Sequence, residues 1–384
     1  MARPSMWKAA AAGAAAVAGV LAAGLLPAQA ASGPGWQLTL KVGGSTAVTH
    51  PDGLVATSRH DAWSLWQACT TGCDRAGTAV LEHWNGTTWS RRRPAGLQKL
   101  RAPVAVGASS YRDVWVFGGQ YGSRDKSTAA LHFNGHAWSR HSVPSWVIRR
   151  NDGGDQRASA AAFGPRDVWV FSMAGGLGRG LAGRYNGHRW VRVRMPFTPF
   201  EVSAVSRSDI WALAPGGSGS ELMHWNGRNW SSRNVPLTLS SGKIGSTASL
   251  TATGLRSAWM LADVAGPGSA PDTGSLLHWN GKSWRSSTVP GTDLSYLAPD
   301  GHGGWWTTSS PVTSDRRLGF FLHWSNGRWT RHAVPVQQRA AFEDFADLRR
   351  VPGTTSVLAA GQLTVNNSLG NSVSQPGAIW LYRR

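Results

Sequence analysis

One short sequence unit recurs six times along the chain and restricts its fold more than any other feature. Its first copy is residues 83–89, HWNGTTW, and its last is the slightly altered HWSNGRW at residues 323–329. The Asn residues of the Asn-Gly pairs are separated by 40 to 54 residues. Asn-Gly between two apolar runs is typical of a β-hairpin, because a type I′ turn needs positive φ at both central residues. Each copy is therefore predicted to be a hairpin with a type I′ turn. The six Asn residues are Asn85, Asn134, Asn186, Asn226, Asn280 and Asn326.

A second unit lies between these hairpins. It reads Asp-x-Trp in its clearest copies, and short apolar runs such as 104–106 and 202–205 precede it. Each period then holds four short strands, named a to d from the inside outwards. Four strands repeated at this spacing indicate a β-propeller. The units begin at Asp61, Asp113, Asp167, Asp209, Ser257, Gly303 and Ser356, and Trp305 takes the Trp position of the sixth.

The two ends of the chain predict the number of blades. After the sixth hairpin the sequence supplies three more strands, the last at residues 379–382, and no fourth. Residues 35–40, GWQLTL, have the pattern of an isolated d strand. Pairing of this strand with the last blade would close the ring and remove the exposed sheet edges. An all-β, seven-bladed propeller of four-stranded antiparallel blades is predicted, with six or eight blades as alternatives.

Residues 1–30 have the features of a secretory signal peptide. Arg3 and Lys8 precede an Ala-rich apolar stretch, and Ala28-Gln29-Ala30 provides a small-x-small cleavage pattern. The alternative is a membrane anchor, since about 18 weakly apolar residues nearly span a bilayer. We expect cleavage near Ala30, secretion, and a single propeller domain over residues 31–384 without a transmembrane segment.

Cys69 and Cys73 are the two cysteines of the chain and lie in the sequence CTTGC. In an oxidising compartment a small local disulfide is predicted. Half of a metal site is the alternative, but the neighbourhood offers no further ligands. No metal site and no cofactor are predicted.

The second blade resembles kelch and galactose-oxidase-like propellers. Residues 113–119, DVWVFGG, followed by Phe133, Trp138 and the pair Val143-Pro144, are similar to the kelch order of apolar strand, Gly-Gly, aromatic, Trp and Pro-ended turn. The Gly-x-x-Trp hairpins are also similar to the Asp-box turns of sialidase propellers. The resemblance implies a propeller fold and does not carry a function.

The His that opens most hairpins, and the Asp of each Asp-x-Trp unit, are interpreted as scaffold residues. Equivalent positions of successive blades spread around a ring, so these His residues cannot converge on one metal ion. Packing or a hydrogen bond beside the turn is expected for the His residues, and bonds to nearby backbone N–H groups for the Asp residues.

Function is expected where the repeat is interrupted, in the long d–a and b–c loops that share one face. Of the 22 Trp residues, Trp146 is the one assigned to a variable loop. The candidate binding residues are Trp146, Arg149, Arg150, Asp152, Asp155, Tyr121, Arg124, Arg316 and Arg317.

The formal net charge of +19 falls to +17 when Arg3 and Lys8 are removed with the leader. A positive field favours anionic partners, and coding bias is the alternative explanation. The predicted function is non-enzymatic binding of an anionic glycan, a cell-wall polymer or a protein through the loop face, by a protein expected to be monomeric. Nucleic acid is not an expected partner.

The alternative function is that of a carbohydrate-active enzyme, a glycoside hydrolase or lyase of propeller fold, for which Asp152, Asp155, Glu343 and Asp344 are possible carboxylates. The inner strands are rich in Ala, Val and Ser, and are therefore not expected to carry an arginine cluster. Two carboxyl groups in a deep central pocket would favour the enzyme, whereas a flat Arg and aromatic surface would favour the binding protein.

Overall fold

The protein is an all-β propeller of seven blades, each formed by four antiparallel strands, as predicted. One 3₁₀ turn at Leu97–Lys99 is the only helical element of the part described. The computed structural model describes residues 35–43, 48–69, 77–119, 128–148, 157–173, 179–216, 219–236, 238–239, 242–265, 271–291, 294–309, 319–336, 340–366 and 372–384.

The first four blades follow one another in chain order, each from the inner strand outwards. Blade 1 consists of β2 (Val48–Ser58), β3 (Asp61–Cys69), β4 (Thr78–Trp84) and β5 (Trp89–Arg92). Blade 2 consists of β6 (Arg101–Ser110), β7 (Asp113–Gly119), β8 (Thr128–Phe133) and β9 (Trp138–Val143). Blade 3 consists of β10 (Ala158–Ala162), β11 (Val168–Ser172), β12 (Leu181–Tyr185) and β13 (Trp190–Arg194). Blade 4 consists of β14 (Glu201–Ser206), β15 (Asp209–Gly216), β16 (Gly219–Trp225) and β17 (Trp230–Asn234).

The remaining blades include two short extra strands and the first strand of the chain. Blade 5 consists of β19 (Gly242–Gly254), β20 (Ser257–Ala265), β21 (Pro271–Trp279) and β22 (Trp284–Val289), with β18 (Thr238–Leu239) beside β19. Blade 6 consists of β23 (Leu294–Pro299), β24 (Trp305–Ser309), β25 (Phe320–Ser325) and β26 (Arg328–Ala333). Blade 7 consists of β27 (Ala340–Arg350), β28 (Val357–Asn366), β30 (Gly377–Arg383) and β1 (Gly35–Val42), with β29 (Ser372–Ser374) beside β28.

The N-terminal strand β1 is the outermost strand of blade 7. It pairs antiparallel with β30, from Gly35 opposite Arg383 to Val42 opposite Gly377. The inner strand β27 of blade 7 contacts the inner strand β2 of blade 1, so the circle of blades is continuous. Closure by the N-terminal strand follows the prediction from the sequence.

Apolar side chains fill the spaces between neighbouring blades. The described residues form seven buried hydrophobic clusters, and each cluster joins two adjacent blades. Between blades 6 and 7, Trp36 stacks on Phe321 with ring centroids 3.7 Å apart. Because both faces of every blade are covered, the apolar residues need not alternate along the second strands, and β7 is buried at all seven positions.

The repeated Asp, Trp and His residues form one hydrogen-bonded unit in each of several blades. In blade 2, Trp115 Nε1–H donates to Asp113 Oδ1 (3.0 Å), and Nε2 of His132 lies 2.8 Å from the same oxygen. The His132 ring stacks on Trp115, with centroids 4.1 Å apart. In blade 3 an arginine, Arg184, replaces the His and binds Asp167 through two nitrogens. The His residues are therefore scaffold residues. The hydrogen-bond partners of the Asp carboxylates include side chains and are not only backbone N–H groups.

The c–d turns differ from the predicted type I′ geometry in five of the six hairpins. Trp84 pairs with Trp89, so four residues rather than two form the first turn. Asn85 Oδ1 accepts the N–H groups of Thr87 (3.0 Å) and Thr88 (2.9 Å), and positive φ is confined to Gly86 (100°). The Asn side chain thus stabilises a longer turn from the negative-φ region.

The sixth hairpin alone has the predicted two-residue turn. Asn326 and Gly327 have φ values of 52° and 77°, and Ser325 pairs with Arg328. In the same blade, Trp306 rather than Trp305 occupies the repeated Trp position. Trp306 pairs with His323 and stacks on its ring at 4.1 Å.

Residues 1–34 lie outside the described part of the chain, so the signal peptide and the boundary near Ala30 stay predictions. No helix among the residues that the structure describes is long and apolar enough to cross a membrane.

Candidate functional site

A cavity of about 540 Å³ lies on the axis of the propeller and is lined mainly by the inner strands. Its wall contains small residues such as Ala105, Ala160 and Ala204, which leave space at the centre of the ring. This volume lies in the range of small-molecule sites, about 300–1,000 Å³. The charged and phenolic side chains that line it are Asp52, Arg157, Glu201, Tyr296, Asp347, Arg349 and Arg350.

Strand register brings Glu201 and Asp347 to the same distance along their inner strands, since each lies opposite the second-strand residue four positions after the start of the repeated unit in its blade. The opposing residues are Leu213 for Glu201 and Ala360 for Asp347. In blade 6 the Tyr296 N–H donates to Oγ1 of Thr308. The blade 5 residue at this level is Ala248, opposite Leu261. The small residue Ala248 of blade 5 therefore lies between Glu201 of blade 4 and Tyr296 of blade 6 around the ring.

Asp347 and Arg349 form an ion pair in the cavity wall. They are two residues apart on β27, so both side chains project from the same face of the strand. Arg349 Nε donates to Asp347 Oδ1 at 2.9 Å, and Leu348 N–H donates to the same oxygen at 2.8 Å. The N–H of Leu54 in blade 1 also donates to the carboxylate. Burial raises the pKa of Asp347 above its ordinary value, and the Arg349 charge and these hydrogen bonds offset only part of the increase.

The Arg349 guanidinium keeps access to the cavity, since 42% of its side chain is exposed against 12% for Asp347. The neighbouring Asp347 carboxylate raises the pKa of Arg349, and the Glu201 carboxylate contributes in the same direction. A fixed positive charge therefore stands in the cavity.

Glu201 is the first residue of β14 and lies at the end of the cavity where this inner strand begins. Burial raises its pKa to about 7, and the charge of Asp347 adds to the increase. Arg349 and Arg157 oppose the increase. The ordinary pKa of a Glu carboxyl group is 4.5. Because the pKa of Glu201 is close to 7 instead, both its protonated and its ionised forms are present near neutral pH, and it can donate or accept a proton.

Asp52 is the extra residue of a β-bulge in β2, since Pro51 pairs with Trp66 and Gly53 pairs with Leu65. A bulge changes the direction of a side chain and is frequent beside functional sites. Asp52 Oδ2 is buried and has no hydrogen-bond partner among the described residues. Burial raises the pKa of Asp52 well above its usual value, against the opposing charge of Arg157.

Tyr296 faces the same cavity from blade 6. Burial raises the pKa of its phenol, and the carboxylates of Asp347, Glu201 and Asp344 raise it further. Tyr296 is therefore a neutral hydroxyl group near neutral pH. Asp344, one of the possible carboxylates named from the sequence, therefore lies within electrostatic range of the Tyr296 phenol.

Of the binding residues predicted from the sequence, Trp146 is the one that the structure describes. It is half-buried against the cluster between blades 2 and 3, and the Arg192 guanidinium lies 4.7 Å from its ring centroid. Its ring thus packs within the scaffold rather than standing free on a loop. The others, Arg149, Arg150, Asp152, Asp155, Tyr121, Arg124, Arg316 and Arg317, lie outside the described residues.

The sequence predicts no arginine cluster on the inner strands, but single arginines occur in or beside them. Arg349 lies within β27, and Arg157 directly precedes β10. Ala, Val and Ser do dominate these strands, and the charged residues are single exceptions to that pattern. A single charged residue in or beside an apolar inner strand, such as Glu201 beside the run 202–205, was the sequence signal that could have indicated the cavity residues.

No group of three or more His, Cys, Asp or Glu residues suited to a metal ion occurs within the described ranges. Cys69 ends β3 and is not a free cysteine. Cys73 lies outside the described residues, so the pairing of Cys69 with Cys73 stays a prediction.

Comparisons with known proteins identify the fold. No protein-family model matches the chain, and no curated protein matches it. Among solved structures, it is similar to a GH74 xyloglucanase from Xanthomonas campestris, with a TM-score of 0.54, 11% identity, and coverage of 89% of this chain but 55% of that enzyme.

Two further structures match over most of both chains. The polysaccharide lyase Uly1 has a TM-score of 0.52 and 11% identity, and the match covers 87% of this chain and 90% of the lyase. The β-propeller domain of the Trilobed protease from Pyrococcus furiosus has a TM-score of 0.51 and 9% identity, covering 85% and 95%. At such identities these matches show the propeller fold and do not confirm a kelch or galactose-oxidase-like family.

Proposed function

We propose that the protein is a carbohydrate-active enzyme whose active site is the central cavity, with Glu201 as the proton-transferring residue. The observation that carries this proposal is a carboxyl group with a pKa of about 7 in a cavity wall that it shares with an ion-paired carboxylate. A pair of carboxyl groups, one of which has a pKa raised towards neutral pH, is typical of enzymes that hydrolyse glycosidic bonds.

Hydrolysis of a glycosidic bond requires one acid and one carboxylate. Glu201 supplies the acid, because burial keeps a large part of it protonated near neutral pH. In this proposal Asp347 supplies the carboxylate, because Arg349 and two backbone N–H groups stabilise its ionised form. The proton passes from Glu201 to the oxygen of the departing sugar while the bond between that oxygen and the anomeric carbon breaks. The oxygen of a water molecule bonds to the anomeric carbon, and the proton of that water passes to the Asp347 carboxylate.

The cavity favours hydrolysis over elimination. A lyase needs a base that removes a proton from a uronic acid, and a phenolate is one such base. The raised pKa of Tyr296 opposes formation of a phenolate. Tyr296 is therefore assigned to hydrogen bonding of sugar hydroxyl groups, and a glycoside hydrolase is preferred to a lyase.

The test is a hydrolysis screen on aryl glycosides and polysaccharides, followed by Glu201→Gln. We expect Gln to lower kcat by at least about a hundredfold, because general acid catalysis contributes about 10²–10⁴-fold. Glu221→Gln is the matched control, since Glu221 lies in the same blade but does not line the cavity. Equal activity of the wild type, E201Q and E221Q would overturn the assignment of Glu201.

A second candidate is non-enzymatic binding of an anionic glycan, wall polymer or protein. It is supported by the positive charges of Arg157 and Arg349 in the same cavity and by the net charge of +19. In this case the protein binds a glycan that it does not hydrolyse, and E201Q binds as the wild type does. Secretion after cleavage near Ala30 belongs to both proposals.

A further inference from the structure

The short-turn face of the propeller is the side that holds the a–b and c–d turns. Successive strands of a blade are antiparallel, so these two kinds of turn emerge on one side and the longer b–c and d–a loops on the other. The short turns are described in every blade, and their residues have repeated positions. This face was not among the functional candidates from the sequence.

Exposed arginines occur at the a–b turns of five consecutive blades. Each turn joins an inner strand to the Asp-x-Trp unit or its equivalent, and the arginine is the first or second residue before that unit. The five residues, from blade 1 to blade 5, are Arg59, Arg112, Arg166, Arg207 and Arg256.

The c–d turns add exposed cations in blades 3 to 5, and an arginine directly follows the c–d turn of blade 6. Blades 3, 4 and 5 therefore carry a cation on both short turns, and this arc is the most basic part of the face. The added residues are Arg189, Arg228, Lys282 and Arg328.

The short turns contain no exposed carboxylate within the part of the chain described. Two acidic residues lie in or directly beside these turns without being buried in a strand. They are Asp167, which is paired with Arg184, and Asp300, which is paired with His323. The arginines of the a–b turns form no ion pair with a carboxylate among the described residues. No carboxylate of the described residues therefore neutralises their positive charges.

The turn geometry holds several of these side chains in place. A Cβ atom built on Gly135 would lie 2.7 Å from Cγ of Arg112, so the stem of Arg112 rests against the glycine of the c–d turn. Arg166 and Arg256 rest in the same way against the glycines of their own blades. An arginine that is already held loses less conformational entropy when it binds a ligand.

We propose that the short-turn face binds an anionic polysaccharide, whose carboxylate groups pair with the arginines of successive blades. One cation per blade around an arc suits a chain with regularly repeated charges, since each additional contact is made at high effective concentration. Arginine also pairs with carboxylates through two parallel hydrogen bonds. This site is separate from the cavity and does not depend on the proposed hydrolase activity.

A polysaccharide fits this face better than duplex nucleic acid. The described part of this face is built from tight turns of two to six residues and offers no helix or β-ribbon that could enter a groove. Tyr111 is exposed beside Arg112, and aromatic rings suit the apolar faces of sugars. Binding of DNA or of a membrane is therefore treated as an outcome that contradicts the proposal.

The test is retention on immobilised polygalacturonate across a range of salt concentrations, with neutral dextran as the blank. The variant is R166Q/R207Q/R256Q, which removes three charges from the densest arc. The matched control is R140Q/R194Q/R285Q, which removes three exposed charges from the outer strands. Circular dichroism and thermal unfolding verify that both variants fold.

We expect the short-turn variant to bind about tenfold more weakly than the wild type, because each exposed ion pair contributes only modestly to affinity. Its affinity should also depend less steeply on salt, because fewer counterions are released. The control should stay within about threefold of the wild type.

Equal weakening of both variants would show that net charge alone is responsible and would overturn the proposal. Tighter binding to a DNA duplex or to phosphatidylglycerol vesicles than to polygalacturonate would also overturn it. Loss of hydrolysis in E201Q with unchanged retention would support two independent sites.

Discussion

Arg349 Nε donates to Asp347 Oδ1 across 2.9 Å, and both residues belong to the same inner strand. The pair is not isolated, because the Arg349 charge lowers the pKa of Glu201 as well as that of Asp347. Arg349 is therefore a positioning residue that controls how strongly the two carboxyl groups of the cavity hold their protons.

Replacement of Arg349 by Gln should raise the pKa of both Glu201 and Asp347, because the charge that favours their ionised forms is lost. The protonated form of Glu201 would then persist to higher pH. Carbon-13 NMR titration of labelled carboxyl groups measures both changes, and R349K should show smaller ones because it keeps the charge. Unchanged titration of Glu201 in R349Q would contradict the arrangement.

The pKa of Glu201 also predicts how stability depends on pH. The folded-state pKa is about 7 and the ordinary value is 4.5, so the folded state binds the proton more tightly than the unfolded state. The stabilisation is complete below the lower value and is lost as the pH rises through about 7. It amounts to at most about 3 kcal/mol, at 1.36 kcal/mol per pKa unit.

Urea unfolding of the wild type and E201Q at about pH 5 and about pH 8 measures this effect. The free energy of unfolding of the wild type should fall relative to that of E201Q as the pH increases. Parallel pH profiles for the two proteins would show that Glu201 titrates as an ordinary carboxyl group.

The scaffold unit of blade 2 predicts a large cost for Asp113→Ala. Asp113 is buried and accepts from Trp115, with His132 Nε2 at 2.8 Å. Without it a buried indole N–H loses its partner, which costs about 1–3 kcal/mol per unsatisfied group. Thermal and urea unfolding should show a loss of about 2–4 kcal/mol. Arg140→Gln, an exposed change in the same blade, should leave stability within about 0.5 kcal/mol of the wild type.

Closure of the ring predicts that Trp36→Ala destabilises the whole propeller. Trp36 is 7% exposed, stacks on Phe321 at 3.7 Å and meets the edge of Trp306 at 5.2 Å. Its removal should lower the free energy of unfolding by about 3–5 kcal/mol. Tyr111→Ala is the control because Tyr111 is 53% exposed. A loss below about 1 kcal/mol for W36A would mean that β1 is not required for closure.

The blades could be predicted from the sequence because their structure depends on local, repeated residues. In five of the six c–d turns the Asn side chain binds N–H groups two and three positions later, so the hairpins can be predicted from short segments of sequence. The type of turn was harder to predict from the sequence, because the Asn side chain stabilises a four-residue loop as an alternative to the two-residue type I′ turn. In blade 6, two adjacent Trp residues left the register open, and a shift by one residue changes the face of the strand.

The cavity residues could not be predicted in the same way. Glu201, Tyr296 and Asp347 occur once each, in different blades, and no local pattern connects them. They approach one another only because the inner strands surround a common axis and small residues such as Ala160 and Ala204 leave space between them. A search for repeated residues identifies the scaffold and passes over the exceptions.

Pairing of β1 with β30 also determines the order in which the molecule can be assembled. Thr39 Oγ1–H donates to the carbonyl oxygen of Ile379, 340 residues further along the chain. Contacts at such separation form late, because the intervening chain must first become compact. Blades 1 to 6 can form one after another during synthesis, each from a continuous segment. Blade 7 must wait for residue 383, while its outermost strand has been present from the start. Until then β1 is an unpaired strand that another copy could capture, so exchange of β1 between molecules is the characteristic misfolding risk of this architecture.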